Sequence, residues 1–422
     1  MAATGSEIKF AAKKAAAWAT PVAVGANNGF LIRPSTFKRA RSTSVDDSLG
    51  LGWPADIDLG EIKVDGNIVG YMRFDSLDLM IAMAMGTHSL VMTVPGVASQ
   101  TATSGSTTTL VGAAGMGTTQ YVGKYVTVTA GVALNIGVTR KIISHTDTTL
   151  TFAAMPAANT NVSVFTVSGA ATTHTYTLAD NTDGQFITMA AKMGSISVDE
   201  LTTAKVSGFT LKGGTGKPID VEFKIVAHDR KSDSATNTTV TILNVTFPET
   251  ANRLLFNMLK FRQNTASGAA LQDSDRIYPT SFEFSFQRKM AGVYGVGGSF
   301  DNIDEPTNDG APEVGLKYEL PRYDAASLAL INAANASTSQ KIDLTFTGAL
   351  LSGSTYRRML LEIPNAKFRD IEAPMKDGIL SVPADMLCLS AGAAPSGMTN
   401  LTAPFRLTLA NSFGGDVLQE AI

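Results

Sequence analysis

One cysteine, four histidines and two tryptophans stand in a chain of 422 residues. Cys388 has no partner for an internal disulfide, and its neighbours Met386, Leu387 and Leu389 mark it as a buried structural thiol rather than a nucleophile. His88, His145, His174 and His228 share neither helical nor Cys/His spacing with another ligand. A zinc site is therefore not expected, and each histidine reads as a surface or turn residue. Charged residues are scarce at 17%, where an average globular chain has about 25%. The net charge of -3 excludes a broadly basic nucleic-acid binder, whose phosphate contacts draw on many Lys and Arg. No apolar run nears the roughly 18 residues of a membrane-spanning helix. Met1 to Lys14 lacks the basic start and apolar core of a secretory leader, so none is expected.

Catalytic patterns are missing too. No nucleophile motif such as Gly-x-Ser-x-Gly accompanies the pair His228-Asp229. Gly213-Gly214-Thr215-Gly216-Lys217-Pro218 falls short of a phosphate loop, with Leu211 in place of the first glycine and Pro218 in place of Ser or Thr. Asp56 and Asp58 only begin a calcium-type ligand spacing, and Asp46-Asp47 and Asp304-Glu305 read as solvated loop charge. The Asn-x-Ser/Thr triplets at Asn161, Asn237, Asn244 and Asn335 are taken as chance matches in a Thr-rich chain. The expectation is no catalytic residue, no cofactor and no metal.

What is present is a hexapeptide that occurs twice. Ile32-Arg33-Pro34-Ser35-Thr36-Phe37 and Ile277-Tyr278-Pro279-Thr280-Ser281-Phe282 share the pattern Ile-x-Pro-(Ser/Thr)-(Ser/Thr)-Phe. Arg73-Phe74-Asp75 lies 41 residues after Ile32, and Arg322-Tyr323-Asp324 lies 45 residues after Ile277. A short apolar run of helical character follows each triplet: Leu77 to Met83 in the first, Leu328 to Ile331 in the second. Two matches in one order at near-equal spacing predict two copies of one supersecondary unit. The apolar fraction of 44% suffices for sizeable cores. A surface of Thr, Ser, Asn, Gly and Ala suits a protein covered by copies of itself.

Along the chain, Phe30 to Lys38 reads as a strand at an edge or with a bulge, because Pro34 cannot donate to a ladder. Arg41 to Gly60 reads as a long loop whose Leu49, Leu51 and Trp53 would otherwise be left in water, which points to a contact arm. Ile62 to Arg73 reads as two strands about the turn Asp65-Gly66-Asn67. Asp75 is the expected cap of a helix that Gly86 ends. From Thr93 to Gly169 the composition shifts to Thr, Ala, Gly and Val with strand-like alternation, which predicts a small all-β insert. Val206 to Leu211 and Ile219 to Ala227 read as strands about a Gly-rich hairpin loop, and Lys367 to Ile371 with Ile379 to Val382 forms a comparable pair. Arg288 to Pro312 is the second copy's counterpart of the long arm, with Val293, Tyr294 and Phe300 as its contact candidates.

These residues resemble the major tail proteins, or tail tube proteins, of long-tailed bacteriophages. The likeness is carried by Trp18-Ala19-Thr20-Pro21, Pro34-Ser35-Thr36-Phe37, the loop to Gly60 and the helix Leu77 to Gly86. It continues in Thr177-Leu178-Ala179, Gly184-Gln185-Phe186, the run Val206 to Gly213, and Pro218-Ile219. It covers about 10–92 and 172–230, with a weaker echo in the second half. The resemblance implies a mainly β fold with two tandem tail-tube-like sandwich or barrel domains, each with one short helix, and a small inserted all-β module. The first tube domain would comprise 1–92 and 170–247, the insert 93–169 and the second tube domain 248–422. It further implies a non-catalytic subunit of the virion tail, assembled in the host cytoplasm. Three chains would form each pseudo-hexameric ring, and stacked rings would form the conduit for ejected DNA. Implied partners are sister subunits, the terminator, tape measure and distal tail proteins, and DNA in transient, non-specific passage, with no membrane. Leu49, Leu51, Trp53, Val293, Tyr294 and Phe300 are the candidate contacts between stacked rings, and the insert would project outward. Two other readings stand beside this one: another phage part, such as a tail terminator or capsid-associated β protein, and a carbohydrate-binding or hydrolytic β protein.

Overall fold

A computed structural model describes residues 8–25, 28–33, 35–45, 57–94, 96–113, 121–169, 171–247, 252–294, 302–372, 378 and 380–418. Strands β1 (Lys9–Ala15), β2 (Thr36–Val45) and β3 (Ile57–Tyr71) precede helix α1 (Asp78–Met85) and β4 (Gly86–Val94). Seven strands follow: β5 (Val97–Thr101), β6 (Ser104–Gly105), β7 (Thr109–Val111), β8 (Tyr125–Ala130), β9 (Thr139–His145), β10 (Thr149–Phe152) and β11 (Val164–Val167). Next come β12 (Ala171–Leu178), β13 (Phe186–Met193), β14 (Ser197–Gly214), β15 (Asp220–Ala227) and β16 (Arg230–Lys231). The second half holds β17 (Leu259–Thr265), β18 (Arg276–Ile277), β19 (Ser281–Gln287), β20 (Met290–Ala291), β21 (Thr307–Asn308) and β22 (Glu313–Leu320). Helix α2 (Ala325–Asn335) then leads to β23 (Gln340–Ser352), β24 (Thr355–Ile371), β25 (Val382–Leu389) and β26 (Arg406–Asn411). The protein is mainly β, in large antiparallel sheets.

Strands β5 to β11 form a seven-stranded sheet of their own, ordered β5-β11-β8-β9-β10-β7-β6. Its alternating strands bury Val126, Val128, Leu150, Phe152 and Phe165 in a separate apolar cluster. The sheet hangs from β4 and β12, which pair antiparallel from Gly86↔Leu178 to Val94↔Ala171. The chain therefore leaves and re-enters the main sheet at one place.

The other large sheet has seventeen strands, and one order occurs in it twice. β2-β3-β15-β14-β13-β1 are successive neighbours in the first half, and β19-β22-β25-β24-β23-β17 are successive neighbours in the second. Irregularities recur with the order. Two residues of β13, Ile187 and Met189, face Ala204 and Leu201, so β14 carries one extra residue; Gln340 and Ile342 face Ala366 and Ile363 in the same way. A second bulge falls between Val206 and Gly208 against β15, and between Phe368 and Asp370 against β25. Each β24 position lies 162 residues after its β14 counterpart (363 less 201, 368 less 206). Bulges redirect a strand, so they are features that a fold keeps.

Two junctions weld the halves. The C-terminal part of β14 pairs with β19, from Gly208↔Gln287 to Gly214↔Ser281, and β26 lies between β24 and β12. One core spans both halves. Phe209 sits 6.0 Å from Phe284, 5.7 Å from Phe286 and 6.2 Å from Phe405, ring centre to ring centre. Burying each such ring contributes about 1.5–3 kcal/mol, so the boundary expected at 248 is crossed by shared core as well as by strand pairs.

Local readings of the sequence need five corrections. Ile62 to Arg73 is no hairpin: β3 runs straight through Asp65-Gly66-Asn67, and Gly66 faces Phe37 on one side and Ile225 on the other. Pairing on both flanks overrides the local turn preference. Arg41 to Val45 and Ile57 to Leu59, expected as parts of a loop, extend β2 and β3 instead. The strand expected from Phe30 begins at Thr36, and that expected from Ile379 begins at Val382. Asp75 does not cap α1; it accepts hydrogen bonds from Asn252 (2.7 Å) and Arg357 (3.2 Å) instead. Gly86 does end α1, at φ 90°, with its N–H bonded to Ala82 O. In α2 the matching Asp324 is a true cap, accepting from Ser327 N–H at 2.9 Å.

Candidate functional site

The expected second arm, Arg288 to Pro312, is folded onto its own chain where it is described. Arg288 is buried at the end of β19 and donates to Ala84 O (3.2 Å), Met85 O (3.1 Å), Ala179 O (2.7 Å) and Asp180 O (3.3 Å). Two of these carbonyls belong to the last turn of α1, where unpaired backbone oxygens and the helix dipole favour a cation. Burial lowers the proton affinity of this guanidinium, yet an arginine stays charged in a protein, so the carbonyls carry the load of holding it. Further along, Glu305 pairs with Lys205 at 2.6 Å and accepts from Gly184 N–H at 2.9 Å. The side chain of Lys205 is only 1% exposed, and it also donates to Pro306 O at 2.8 Å. Asn308 donates to Asp180 O at 2.7 Å, and Trp18 Nε1 donates to Ile303 O at 3.1 Å. The described parts of the segment thus form a strap from the second half across the first.

This bears on the six ring-contact candidates. Tyr294 is turned inward, its hydroxyl donating to Ile62 O at 3.3 Å. Val293 is 68% exposed and free to meet another surface. Leu49, Leu51, Trp53 and Phe300 lie outside the described residues. The six are therefore not gathered into one patch by anything described.

Among the sheet edges left open in the described residues are those of β2 and β24. β2 pairs with β3 on one side and with no other strand among the described residues. Lys38, Arg39 and Ser42 to Val45 are exposed on it. β24 carries β23 only as far as Ala366, and beyond that point the same flank bears no strand among the described residues. A bare row of N–H and C=O groups is a template for another strand.

The histidines differ from their expectation. His88, His145 and His174 are buried, and His228 is half-buried against Trp18, ring centres 5.8 Å apart. Asp416 Oδ1 lies 3.0 Å from His88 Nδ1, His88 Nε2 lies 3.0 Å from His174 Nδ1, and His174 Nε2 lies 2.8 Å from Phe413 O. Two neutral imidazoles own two N–H groups, one short of these three contacts. The cluster is fully bonded only with a third proton, and burial disfavours placing it on His174. Beside it Tyr176 donates to Asp78 at 2.7 Å, and Asn411 donates to the same oxygen at 3.1 Å. Burial first, and the Asp78 charge second, push the Tyr176 phenol well above its usual range. This network ties β4, β12, α1, β26 and the C-terminal segment together from positions far apart in the chain. Its signal in the sequence was the alternation Thr173-His174-Thr175-Tyr176-Thr177, which aims His174 and Tyr176 at one face.

Among the described residues no group of three or more His, Cys, Asp or Glu stands ready for a metal, and no helix is long and apolar enough to cross a membrane. Gly213 to Lys217 is the tip of the β14–β15 hairpin, with no helix after it to bind a phosphate. No family model matches the chain, and no curated protein is similar to it.

Proposed function

We propose that this chain is a structural subunit of a phage tail tube, with two tube-type repeats per chain, three chains per ring and no catalytic role. The recurring strand order with its twin bulges at one offset is the observation that supports it, because two repeats of one unit would carry the same order and the same bulges. A ring built from repeats closes its sheet edges on neighbours, and the open flanks of β2 and β24 are edges of that kind. The repeats would comprise 1–92 with 170–247, and 248–422. The insert 93–169 would stand outside, since its separate core needs nothing from the rest. A chain of net charge -3 suits a conduit through which DNA slides, because a basic lining would hold phosphate. Electron microscopy of the purified protein tests the reading. Stacked rings with three-fold symmetry are the expected result, and a protein that stays monomeric at high concentration overturns it.

A further inference from the structure

A row of charges crosses the large sheet. Asp220 on β15, Lys212 on β14, Glu283 on β19, Lys317 on β22 and Asp385 on β25 stand directly opposite one another in turn. The sign changes at every step. Lys212 and Glu283 are 3.4 Å apart, and Lys317 and Asp385 are 3.5 Å apart. At the next strand the alternation breaks, for Asp385 faces Asp370 on β24. Like charges directly opposite each other are destabilising. The row therefore ends, at an open edge, one cation short.

The chain contains an occupied version of this edge. On β14, β13 pairs up to Ala204 and β19 takes over from Gly208. On β24, β23 pairs up to Ala366, and the place corresponding to β19 is bare among the described residues. The hexapeptide repeat makes β2 the counterpart of β19, with Thr36-Phe37 matching Ser281-Phe282. The outer flank of β2 is bare as well, and Lys38 on it is exposed.

We propose that β2 of a second copy lies antiparallel on the free flank of β24, with Ile371 opposite Arg41 and Glu372 opposite Ala40. This proposal rests on the reading of the halves as ring-forming repeats. The register follows from carrying the β14–β19 pairs over by the two offsets. One adjustment is required. A Cβ at Gly208 would lie 2.8 Å from Gln287 Cα, so the close approach seen there needs glycine. Asp370 occupies that place on β24, and the junction between copies starts one residue later. Lys38 then stands diagonal to Glu372, within reach of a long side chain, and brings a cation to this acidic edge.

The signs also select the partner. β14 offers Lys212 to Glu283 of β19, whereas β24 offers Glu372 to Lys38 of β2. Exchanging the partners would set Lys212 against Lys38, and Glu283 diagonal to the carboxylate of Glu372. Repulsion in the wrong pairing is what separates the junction inside a chain from the junction between chains.

The test uses the full chain carrying Ala40→Cys and Glu372→Cys. The native Cys388 is buried, with its thiol pushed up to about 12, so the two introduced thiols react alone. Oxidation of the assembled protein is expected to link most chains into covalent oligomers that reduction returns to monomers. Arg41→Cys with Glu372→Cys places the thiols on opposite faces and is expected to give roughly ten-fold less product. In the unmodified protein, amide exchange at 38–42 should slow at least about ten-fold on assembly. Rings or tubes with no cross-link and no protection of β2 would sink this junction and leave the tube reading intact. Cross-linked open chains without rings would keep the junction and remove the ring. A chain that never assembles, with β2 exchanging freely at every concentration, would remove both.

Discussion

Gly208→Ala and Gly214→Ala form a matched pair of perturbations on one strand. Both positions face β19, at Gln287 and Ser281, and neither has a positive φ. A Cβ at 208 would lie 2.8 Å from Gln287 Cα and 3.0 Å from Phe286 C, and inside the contact shell of Phe286 O. These are backbone atoms of a paired strand and cannot rotate aside. A Cβ at 214 meets nothing nearer than Thr280 O at 3.9 Å. Overpacking costs about 1–3 kcal/mol, and a displaced strand belongs at the upper end, about 3 kcal/mol. Gly214→Ala instead trims the freedom of the unfolded chain and stabilises by about 0.4–1 kcal/mol. Unfolding entropy of about 2.1 cal/mol/K per residue gives roughly 0.9 kcal/mol/K for 422 residues. Calorimetry should therefore show Gly208→Ala melting about 3 °C below the parent, with Gly214→Ala level with it or about 1 °C above. Equal shifts in the two variants would refute the argument that β14 and β19 are seated at that depth.

Arg288→Met removes four hydrogen bonds and takes this donor from the oxygens of Ala84 and Ala179, while Met85 O keeps the N–H of Ala179 and Asp180 O keeps Asn308; it should cost about 3–5 kcal/mol, read as a melting drop of several degrees and faster proteolysis within 288–308. His174 is held below its usual proton affinity by burial, so between that depressed value and about 6.5 the unfolded chain binds more protons than the native one. Native stability from this group is therefore lost as pH falls through that window, and the melting gap between the parent and His174→Gln should narrow from pH 8 to pH 5. Cys388 is pushed up to about 12, by burial first and Asp385 second, so alkylation at pH 8 should label no native protein and one thiol per chain after unfolding, as mass spectrometry would show.

The strand order that occurs twice left a trace in the sequence, because the punctuation around it repeats. Proline and hydroxyl residues open β2 and β19 in both copies, and glycine ends α1 and turns the β14–β15 hairpin. What stayed hidden depended on partners distant along the chain. Asp75 and Asp324 sit in matching triplets, yet only Asp324 adjoins its helix; Asp75 is drawn away by Arg357, 282 residues on. Asp65-Gly66 looks like a hairpin until β2 and β15 occupy both of its flanks. His88 meets Asp416 across 328 residues, a proximity that no local spacing encodes. The second arm is legible only as the counterpart of the first, but its strap role lies in Arg288 and Glu305, whose partners are carbonyls and a buried lysine of the first half. The candidate contacts Leu49, Leu51 and Trp53 were chosen for apolar character alone, which says that such groups want cover without saying where it comes from.

The internal and the proposed external junctions face unequal demands. β19 reaches β14 on a tether, at an effective concentration of order millimolar, so no translational freedom is lost when they pair. A second copy gives up about 4–15 kcal/mol of translational and rotational freedom before any contact counts. The two pairs at Ile371 and Glu372, at about 0.2–1 kcal/mol per cross-strand pair, cannot offset that. The edge between copies therefore sets register and partner choice, and the greater part of the affinity has to come from apolar surface elsewhere. Helix α2 has such surface to give: Leu328 is exposed on it, whereas seven of the eight residues of α1 are buried. The asymmetry between two helices in equivalent places is what a repeat at the rim of its own molecule should display, its inner copy covered by the chain and its outer copy waiting for the next one.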